Sequence, residues 1–290
     1  IVNEGKLDLL NNKEGFMETS DFYGTEKVSR ILLKIAPPVM LAQLIQALYN
    51  IVDSFFVGKY SETGLTALSI IYPVQLLMIA LGVGTGVGIN TDMAYYLGIG
   101  KKKKAEEVAG TGTPLGLILW IIFAAVCYVT LPAYAGMSTD SPEVIRDVVA
   151  YGRIVCLFSI GLFTEGIWSK ILQAEGDMRT PMIAQIAGAV VNIILDPLLI
   201  FGMLGMPEMG ISGAAVATVS GQIVAALIVM KKAWYRSPRR SCYPGHIKRI
   251  YQLGIPNIIM QSAYTLYILG LNLILAGFSD QAVTALGLYY

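Results

Sequence analysis

The chain has 290 residues, of which 55% are apolar and only 14% are charged, with a formal net charge of +1. A soluble globular domain carries charge on about a quarter of its residues. The composition therefore excludes an ordinary soluble protein and indicates an all-α protein that crosses a membrane several times. The three cysteines, Cys127, Cys156 and Cys242, give an odd count and predict no disulfide framework.

Seven segments are long and apolar enough to cross a bilayer, which takes about 20 residues. These spans are predicted at residues 32–57, 65–97, 108–131, 144–172, 181–203, 211–230 and 253–278. Residues 279–290 are predicted to begin an eighth span.

Lysine and arginine concentrate before the first span, between the second and third spans, and between the sixth and seventh spans. Such residues are enriched on the cytoplasmic side of a membrane, so we expect a cytoplasmic N-terminus. Residues 1–30 are predicted to form a cytoplasmic tail and interfacial start, 31–232 a six-helix lobe, 233–250 a basic cytoplasmic loop, and 251–290 the start of a second lobe.

The second lobe is predicted from an internal repeat, because residues 38–72 recur in register 218 positions later at residues 256–290. A unit of six helices begins and ends on the same side of the membrane, so the two copies should be related by an axis along the membrane normal. A complete second copy would add about 145 residues, which predicts a natural protein of about 440 residues and makes this chain a fragment. The repeated residues are Pro38, Gln43, Leu48, Tyr49, Ser61, Thr66, Ala67, Leu68 and Tyr72.

Five polar residues on four predicted spans fall at one depth in the membrane. Asp53 lies on the first span, Tyr151 on the fourth, Asn192 and Asp196 on the fifth, and Thr218 on the sixth. With a rise of 1.5 Å per helical residue, all except Asn192 lie about 7 to 12 Å below the outer ends of their spans. Asn192 lies one turn beneath Asp196 on the same helix face. The sequence therefore predicts one polar layer in the outer half of the bilayer.

The chemistry of this layer favours a small cation. Carboxylate, amide and hydroxyl oxygens are hard ligands that suit Na⁺, at Asp53, Asn192, Asp196 and Thr218. Two carboxylates that share a site also suit a proton. The alternative is that these groups only hold helices together through hydrogen bonds. In the repeat, position 53 corresponds to Leu271, so the predicted ion site belongs to the first copy alone.

Several other residues remain open to two interpretations. Pro197, directly after Asp196, predicts a kink that is either a hinge or static. Glu165 is either a structural ion-pair partner or a residue of the cavity, and Gln43 is a further cavity candidate. Asp92, near the cytoplasmic end of the second span, is expected to lie within reach of the lysines that follow it.

Four motifs together resemble the multidrug and toxic compound extrusion (MATE) family. The resemblance implies a 12-helix antiporter of two six-helix lobes around a central cavity, which couples entry of Na⁺ or H⁺ to export of bulky, often cationic organic compounds. It also implies that Asp53, Asn192, Asp196, Thr218 and Tyr151 bind the cation or proton. The motifs are Asn50 to Asp53 with Phe56 to Gly58, Gln173 to Pro181, Asn192 to Pro197, and Gly213 to Thr218.

The same resemblance implies the partners and the location. We expect three partners: a small organic substrate, the lipid bilayer and the missing second lobe of the same chain. We expect no nucleic acid partner and no cofactor beyond the coupling ion. The expected location is the bacterial inner membrane. One alternative is a flippase for lipid-linked precursors or polysaccharides, which would need a basic cavity. Another is an intramembrane enzyme, for which the spans offer no metal-binding histidines.

Overall fold

A computed structural model describes residues 27–289, and the predicted tail before Lys27 lies outside the described residues. The described chain forms nine α-helices and contains no β-strand. The helices are α1 Val28–Tyr60, α2 Glu62–Gly98, α3 Lys102–Ser138, α4 Pro142–Leu157, α5 Ile160–Ala174, α6 Arg179–Ile200, α7 Ile211–Ala233, α8 Tyr243–Ala276 and α9 Asp280–Tyr289.

These helices confirm the predicted set of spans. Six are long and apolar enough to cross a membrane alone, and α4 and α5 pass the same test as one bent pair. Most of the helices run a few residues beyond their predicted ends, because the polar termini of a helix continue past its apolar segment. Connections at residues 99–101, 175–178 and 234–242 lie at one end of the bundle, here called the basic face, and the other connections lie at the opposite face.

The predicted span at 144–172 is a bent pair of helices, because a break at Phe158 and Ser159 with a bend of 46° divides it into α4 and α5. Helix ends leave carbonyl groups without partners inside the helix. Here the indole nitrogen of Trp120 on α3 donates to the carbonyl of Leu157 at 2.9 Å. The hydroxyl of Ser159 donates to the carbonyl of Cys156 at 2.7 Å. The break therefore keeps its backbone satisfied inside the bundle.

The buried core has two parts. One cluster includes Tyr151 and Phe163 and joins α2, α3, α4, α5 and α7. The other includes Ile89, Trp168 and Ile250, so it reaches from α2 to α8 and lies toward the basic face. Tyr151 thus stands between an apolar core and the polar residues described below.

Glycines bring α2 and α8 into close contact. A Cβ atom placed on Gly254 would lie 2.6 Å from the carbonyl oxygen of Gly84, and one on Gly88 would collide with the carbonyl of Ile250. Small residues are what allow helix backbones to approach closely in membranes. Close packing of α2 against α8 therefore accounts for Gly84 and Gly88.

Asp92 on α2 has a different partner from the predicted one. Its carboxylate pairs with Arg249 of α8, and not with the lysines that follow α2. The Arg249 guanidinium also lies over the rings of Tyr95 and Tyr96, at 4.8 and 5.3 Å from their centroids. The Asp92 side chain is 0% exposed and that of Arg249 is 42% exposed. The pair therefore joins α2 to α8, within a segment that was predicted to be a loop.

A second contact joins the two repeats at the opposite face. The hydroxyls of Thr66 on α2 and Thr284 on α9 lie 2.6 Å apart, and these residues are 218 positions apart in sequence. Nearby, the side-chain amide of Asn272 donates to the carbonyl of Ser69 at 3.2 Å. The hydroxyl pair thus unites two residues that the repeat makes equivalent.

A cluster at the basic face, here called the clasp, fastens the 175–178 connection to the end of α7. The hydroxyl of Tyr235 donates to the Glu175 carboxylate. Lys232 donates to Asp177 at 3.2 Å and to Thr180 at 2.9 Å. Asp177 in turn accepts from the backbone N–H and the hydroxyl of Thr180, at 3.0 and 2.6 Å. Burial raises the pKa of Glu175 from 4.5 to about 7.

We expect Arg249→Gln to lower the free energy of unfolding by about 3–5 kcal/mol, because it leaves the Asp92 carboxylate buried without a counter-charge. Asp92→Asn should cost less, since the half-exposed guanidinium of Arg249 can hydrate. Arg146→Gln is the control, because Arg146 is 78% exposed and its pair with Asp147 is at the surface. Unfolding is measured in detergent. Equal losses in Arg249→Gln and Arg146→Gln would contradict the prediction.

The raised pKa of Glu175 predicts a pH dependence of stability. A carboxyl group that is protonated more readily in the folded state contributes stability that is complete below about 4.5 and is lost as the pH rises through about 7. We expect the melting temperature to fall as the pH rises over this interval. Glu175→Gln should remove the decrease that is due to ionisation of Glu175. Tyr235→Phe removes a hydrogen bond to the carboxylate and should move the fall to higher pH. A shift to lower pH would count against this.

Candidate functional site

The structure brings the five residues of the predicted polar layer together between α1, α4, α6 and α7. All five are buried, with exposed fractions of 8% for Asp53, 1% for Tyr151, 2% for Asn192, 0% for Asp196 and 6% for Thr218. The side-chain amide of Asn192 lies 3.4 Å from Asp196 Oδ1 and 3.5 Å from Thr218 Oγ1. These long contacts connect α6 to α7 through one amide group.

Helix geometry explains why Asn192 reaches both neighbours. Asn192 and Asp196 are four residues apart, so they lie on one face of α6. A Cβ atom on Gly188 would lie 2.7 Å from the carbonyl oxygen of Gly221, so these two glycines let α6 and α7 approach closely. Thr218 is one turn from Gly221 on α7. The close crossing therefore places Thr218 beside Asn192.

Two further residues belong to the cluster and were not predicted. The side-chain amide of Gln75 on α2 donates to the hydroxyl of Tyr151 at 3.2 Å. Tyr49, one turn before Asp53 on α1, interacts electrostatically with Asp53 and with Glu165 on α5. Gln75 could have been noticed in the sequence as a polar residue within an apolar span. Tyr49 could have been noticed because it lies four residues before an acid on the same helix.

Three oxygen atoms of the cluster are buried without a hydrogen-bond partner among the described residues. They are Asp53 Oδ1, Asn192 Oδ1 and Asp196 Oδ2. Leaving one buried polar group unpaired costs about 1–3 kcal/mol, so three in one cluster are expensive. All three are acceptors, and two belong to carboxylates that interact electrostatically with each other. A bound cation or proton would relieve this arrangement, whereas another hydrogen-bond acceptor would not.

Asp53 is also one of the few points at which α1 is attached to the bundle. Of the 33 residues of α1, only Ala42, Asp53 and Val57 are buried. α1 packs against α6, which carries Asp196. The contact between α1 and α6 therefore contains two acidic groups, and whatever neutralises them strengthens it.

The remaining candidates lie apart from this cluster or at its edge. Gln43 is exposed on α1 and does not join the cluster. Glu165 is half-buried, accepts a hydrogen bond from Ser169 at 2.6 Å and lies near Lys170. Pro197 lies in the last turn of α6, which continues to Ile200 without a break. A hinge at Pro197 stays a prediction.

A bundle of apolar spans with buried acids in its interior is typical of membrane transporters. The family model for MatE matches residues 38–198, which is more than half of the chain. The chain therefore belongs to this family, the multidrug and toxic compound extrusion family that its motifs resemble. Members of the family are transporters and not enzymes, which removes the enzyme alternative.

Individual relatives agree with this assignment. The chain is 28% identical over 243 residues to a probable multidrug resistance protein NorM of Thermotoga maritima, covering 80% of this chain and 52% of the relative. It is 27% identical over 201 residues to an FAD transporter of Shewanella oneidensis, covering 68% of this chain and 44% of the relative. The chain thus spans about half the length of the curated relatives it matches.

Solved structures show the same fold. An inward-facing multidrug resistance MATE family transporter of the MOP superfamily is 25% identical to the chain, with a TM-score of 0.76, covering 89% of this chain and 60% of that chain. The predicted fold class is confirmed, and the protein is a multi-pass membrane protein related to transporters of bacteria.

We expect Asp53→Asn and Asp196→Asn to leave the protein at least as stable as the natural sequence. Each change removes a buried charge that has a like charge beside it, and the new amide can donate to an unpartnered oxygen. Asn192→Ala should lower the stability, because it removes both contacts of the amide. Thermal unfolding in detergent measures all three. Losses in the two Asp variants as large as that of Asn192→Ala would identify the acids as structural.

Proposed function

We propose that this chain is the ion-binding lobe of a secondary antiporter, which exports bulky organic compounds in exchange for Na⁺ or H⁺. The observation that carries the proposal is the set of three buried, unpartnered oxygens on Asp53, Asn192 and Asp196. Buried polar groups that only hold helices together are usually hydrogen-bonded. Asp92 has the Arg249 guanidinium beside it, whereas Asp53 and Asp196 have each other's negative charge beside them. An ion site needs them free until the ion arrives.

The coupling ion is proposed to bind between α1, α6 and α7. Asp53, Asn192, Asp196 and Thr218 offer a set of hard oxygen ligands that suits Na⁺. A proton would use the two carboxylates instead, with Tyr151 and Thr218 nearby to share hydrogen bonds. No cofactor beyond the coupling ion is proposed.

Occupancy of the site is proposed to control the attachment of α1. When both carboxylates are charged, they repel each other across the contact between α1 and α6. A bound cation or proton removes this repulsion and draws the two helices together. A difference of a few kcal/mol in ion affinity between two conformations is enough to shift their populations widely. Bending of α1 at Pro37 and Pro38, or of α6 at Pro197, would supply the two conformations.

The basic face is proposed to lie in the cytoplasm. It carries Lys101 to Lys104 after α2 and a second group of basic residues after α7, whereas the opposite face has Lys59 on α1 and few other cations. This distribution follows the excess of positive charge that cytoplasmic loops carry. The N-terminal side of α1 would then also be cytoplasmic, in the inner membrane of a bacterium.

The charge of the cluster argues against the alternative function. A flippase for lipid-linked precursors would need cations to hold a pyrophosphate headgroup. The described residues around the site are instead two acids, two amides, a threonine and two tyrosines. We therefore propose export of organic compounds, often cationic ones, with the second lobe of the same protein completing the substrate cavity.

We expect Asp53→Asn and Asp196→Asn to abolish gradient-driven efflux, because each variant loses one of the two carboxylates proposed to bind the coupling ion. Efflux of a fluorescent cationic dye is measured in vesicles that contain the full-length protein. Asp140→Asn is the matched control, since Asp140 is exposed in the connection between α3 and α4. Undiminished efflux in both site variants would refute the proposal.

The same vesicles separate the two coupling ions. A Na⁺ gradient and a pH gradient are imposed in turn, each with the other ion at equal concentration on both sides. Efflux driven by one gradient alone identifies the coupling ion, and efflux driven by neither contradicts ion coupling altogether.

A further inference from the structure

An apolar groove lies on the outside of the first lobe, between α3, α5 and α7. Its volume is ≈ 280 Å³. It shares no residue with the buried polar cluster. We call it the tryptophan groove and define it by Thr113, Leu117, Thr164, Trp168, Leu227 and Trp234.

Two tryptophans mark the mouth of the groove. Trp168 is 5% exposed and donates its indole N–H to the Thr113 hydroxyl at 2.9 Å. Trp234, directly after the end of α7, is 62% exposed, and its ring centroid lies 6.0 Å from that of Trp168. Tryptophan prefers the interface between the hydrocarbon and the headgroups. The mouth of the groove therefore lies at headgroup level on the basic face.

The length of the groove matches one leaflet of a bilayer. Its α5 wall runs from Ile160 to Trp168 and its α7 wall from Ile223 to Met230. At 1.5 Å per residue both walls are about 10 to 12 Å long. The hydrocarbon core is about 30 Å thick, so the groove ends short of the membrane centre. A narrow apolar space that begins at the headgroups and points inward fits a lipid acyl chain.

The charge at the mouth suits an anionic headgroup. Lys231 lies one turn after Leu227 on the same face of α7, so it stands above the groove wall. It is exposed and makes no ion pair with any residue in 27–289, whereas its neighbour Lys232 is bound to Asp177. Clusters of cations directly after a membrane span bind anionic lipids. The last turn of α7 and the segment 234–242 after it contain no acid, and their cations are Lys231, Lys232, Arg236, Arg239 and Arg240.

We propose that the tryptophan groove binds one anionic phospholipid of the cytoplasmic leaflet, with an acyl chain along Leu227 and Thr164 and the headgroup at Lys231. This site is independent of the ion site and of transport. Its occupant is a structural lipid held between three helices, at the place where α5 follows the bend after α4.

Tryptophan fluorescence tests the proposal, because bromine atoms on an acyl chain quench an indole on contact. The chain contains three tryptophans. Trp120→Phe leaves only Trp168 and Trp234, both in the groove. The variant is reconstituted in phosphatidylcholine vesicles that contain brominated phosphatidylglycerol or, in parallel, brominated phosphatidylcholine. If Trp120→Phe does not fold, the natural sequence and its Trp234→Phe variant are compared instead, and the difference reports the groove.

The proposal requires stronger quenching by the brominated phosphatidylglycerol, with an apparent association constant about fivefold above that of the zwitterionic lipid for one lysine contact. Lys231→Gln should remove this preference, whereas Lys59→Gln, on the opposite face, should keep it. Thr164→Leu fills the groove and should reduce quenching by both lipids. Equal quenching by the two headgroups, or a preference that survives Lys231→Gln, would overturn the anionic site.

Discussion

A carboxylate inside a helix bundle needs a counter-charge, a proton or a hydrogen-bond donor, and this chain meets the requirement in two different ways. Asp92 is paired with Arg249 of the next repeat and has tyrosine rings around its partner. Asp53 and Asp196 face each other with oxygen atoms left unpaired. The first arrangement contains its own counter-charge and joins α2 to α8. The second is complete only when something positive is added, which is the property that a coupling site requires.

The position of Asp53 connects the chemistry of the site to movement of a helix. α1 is exposed along most of its length, and the acid is one of only three of its residues that are buried. Elsewhere the bundle is fastened by interactions that do not change with ion occupancy, such as the glycine crossing of α6 and α7 and the bonds of the clasp. Charge at the site therefore acts on a helix that has few buried residues. Under the proposed function, a change in protonation or ion binding there would alter the packing of α1 without disturbing the core.

The sequence predicted the polar layer because a helix has a fixed rise, so depth along a span can be counted in residues. It did not predict what depends on contacts between distant segments. The partner of Asp92 is in the second repeat, and its nearer lysines gave the wrong expectation. The break at Phe158 is stabilised by Trp120 from another helix, which no local pattern reveals. Gln75 joins the cluster only because α2 packs against α4. Its polarity made it a candidate, but could not show that it lies beside Tyr151.

The hydroxyl contact between Thr66 and Thr284 has a consequence for the history of the fold. A residue that touches its own repeat equivalent lies on the two-fold axis, so before duplication and fusion the same contact would have closed a homodimer of single lobes. In such a dimer a substitution changes the same residue in both lobes at once. In a fused chain the two equivalent positions can differ, as Ser69 and its equivalent Gly287 do. A Cβ atom on Gly287 would collide with the hydroxyl of Ser69, so serine on one side and glycine on the other is a combination that a dimer of identical lobes could not have.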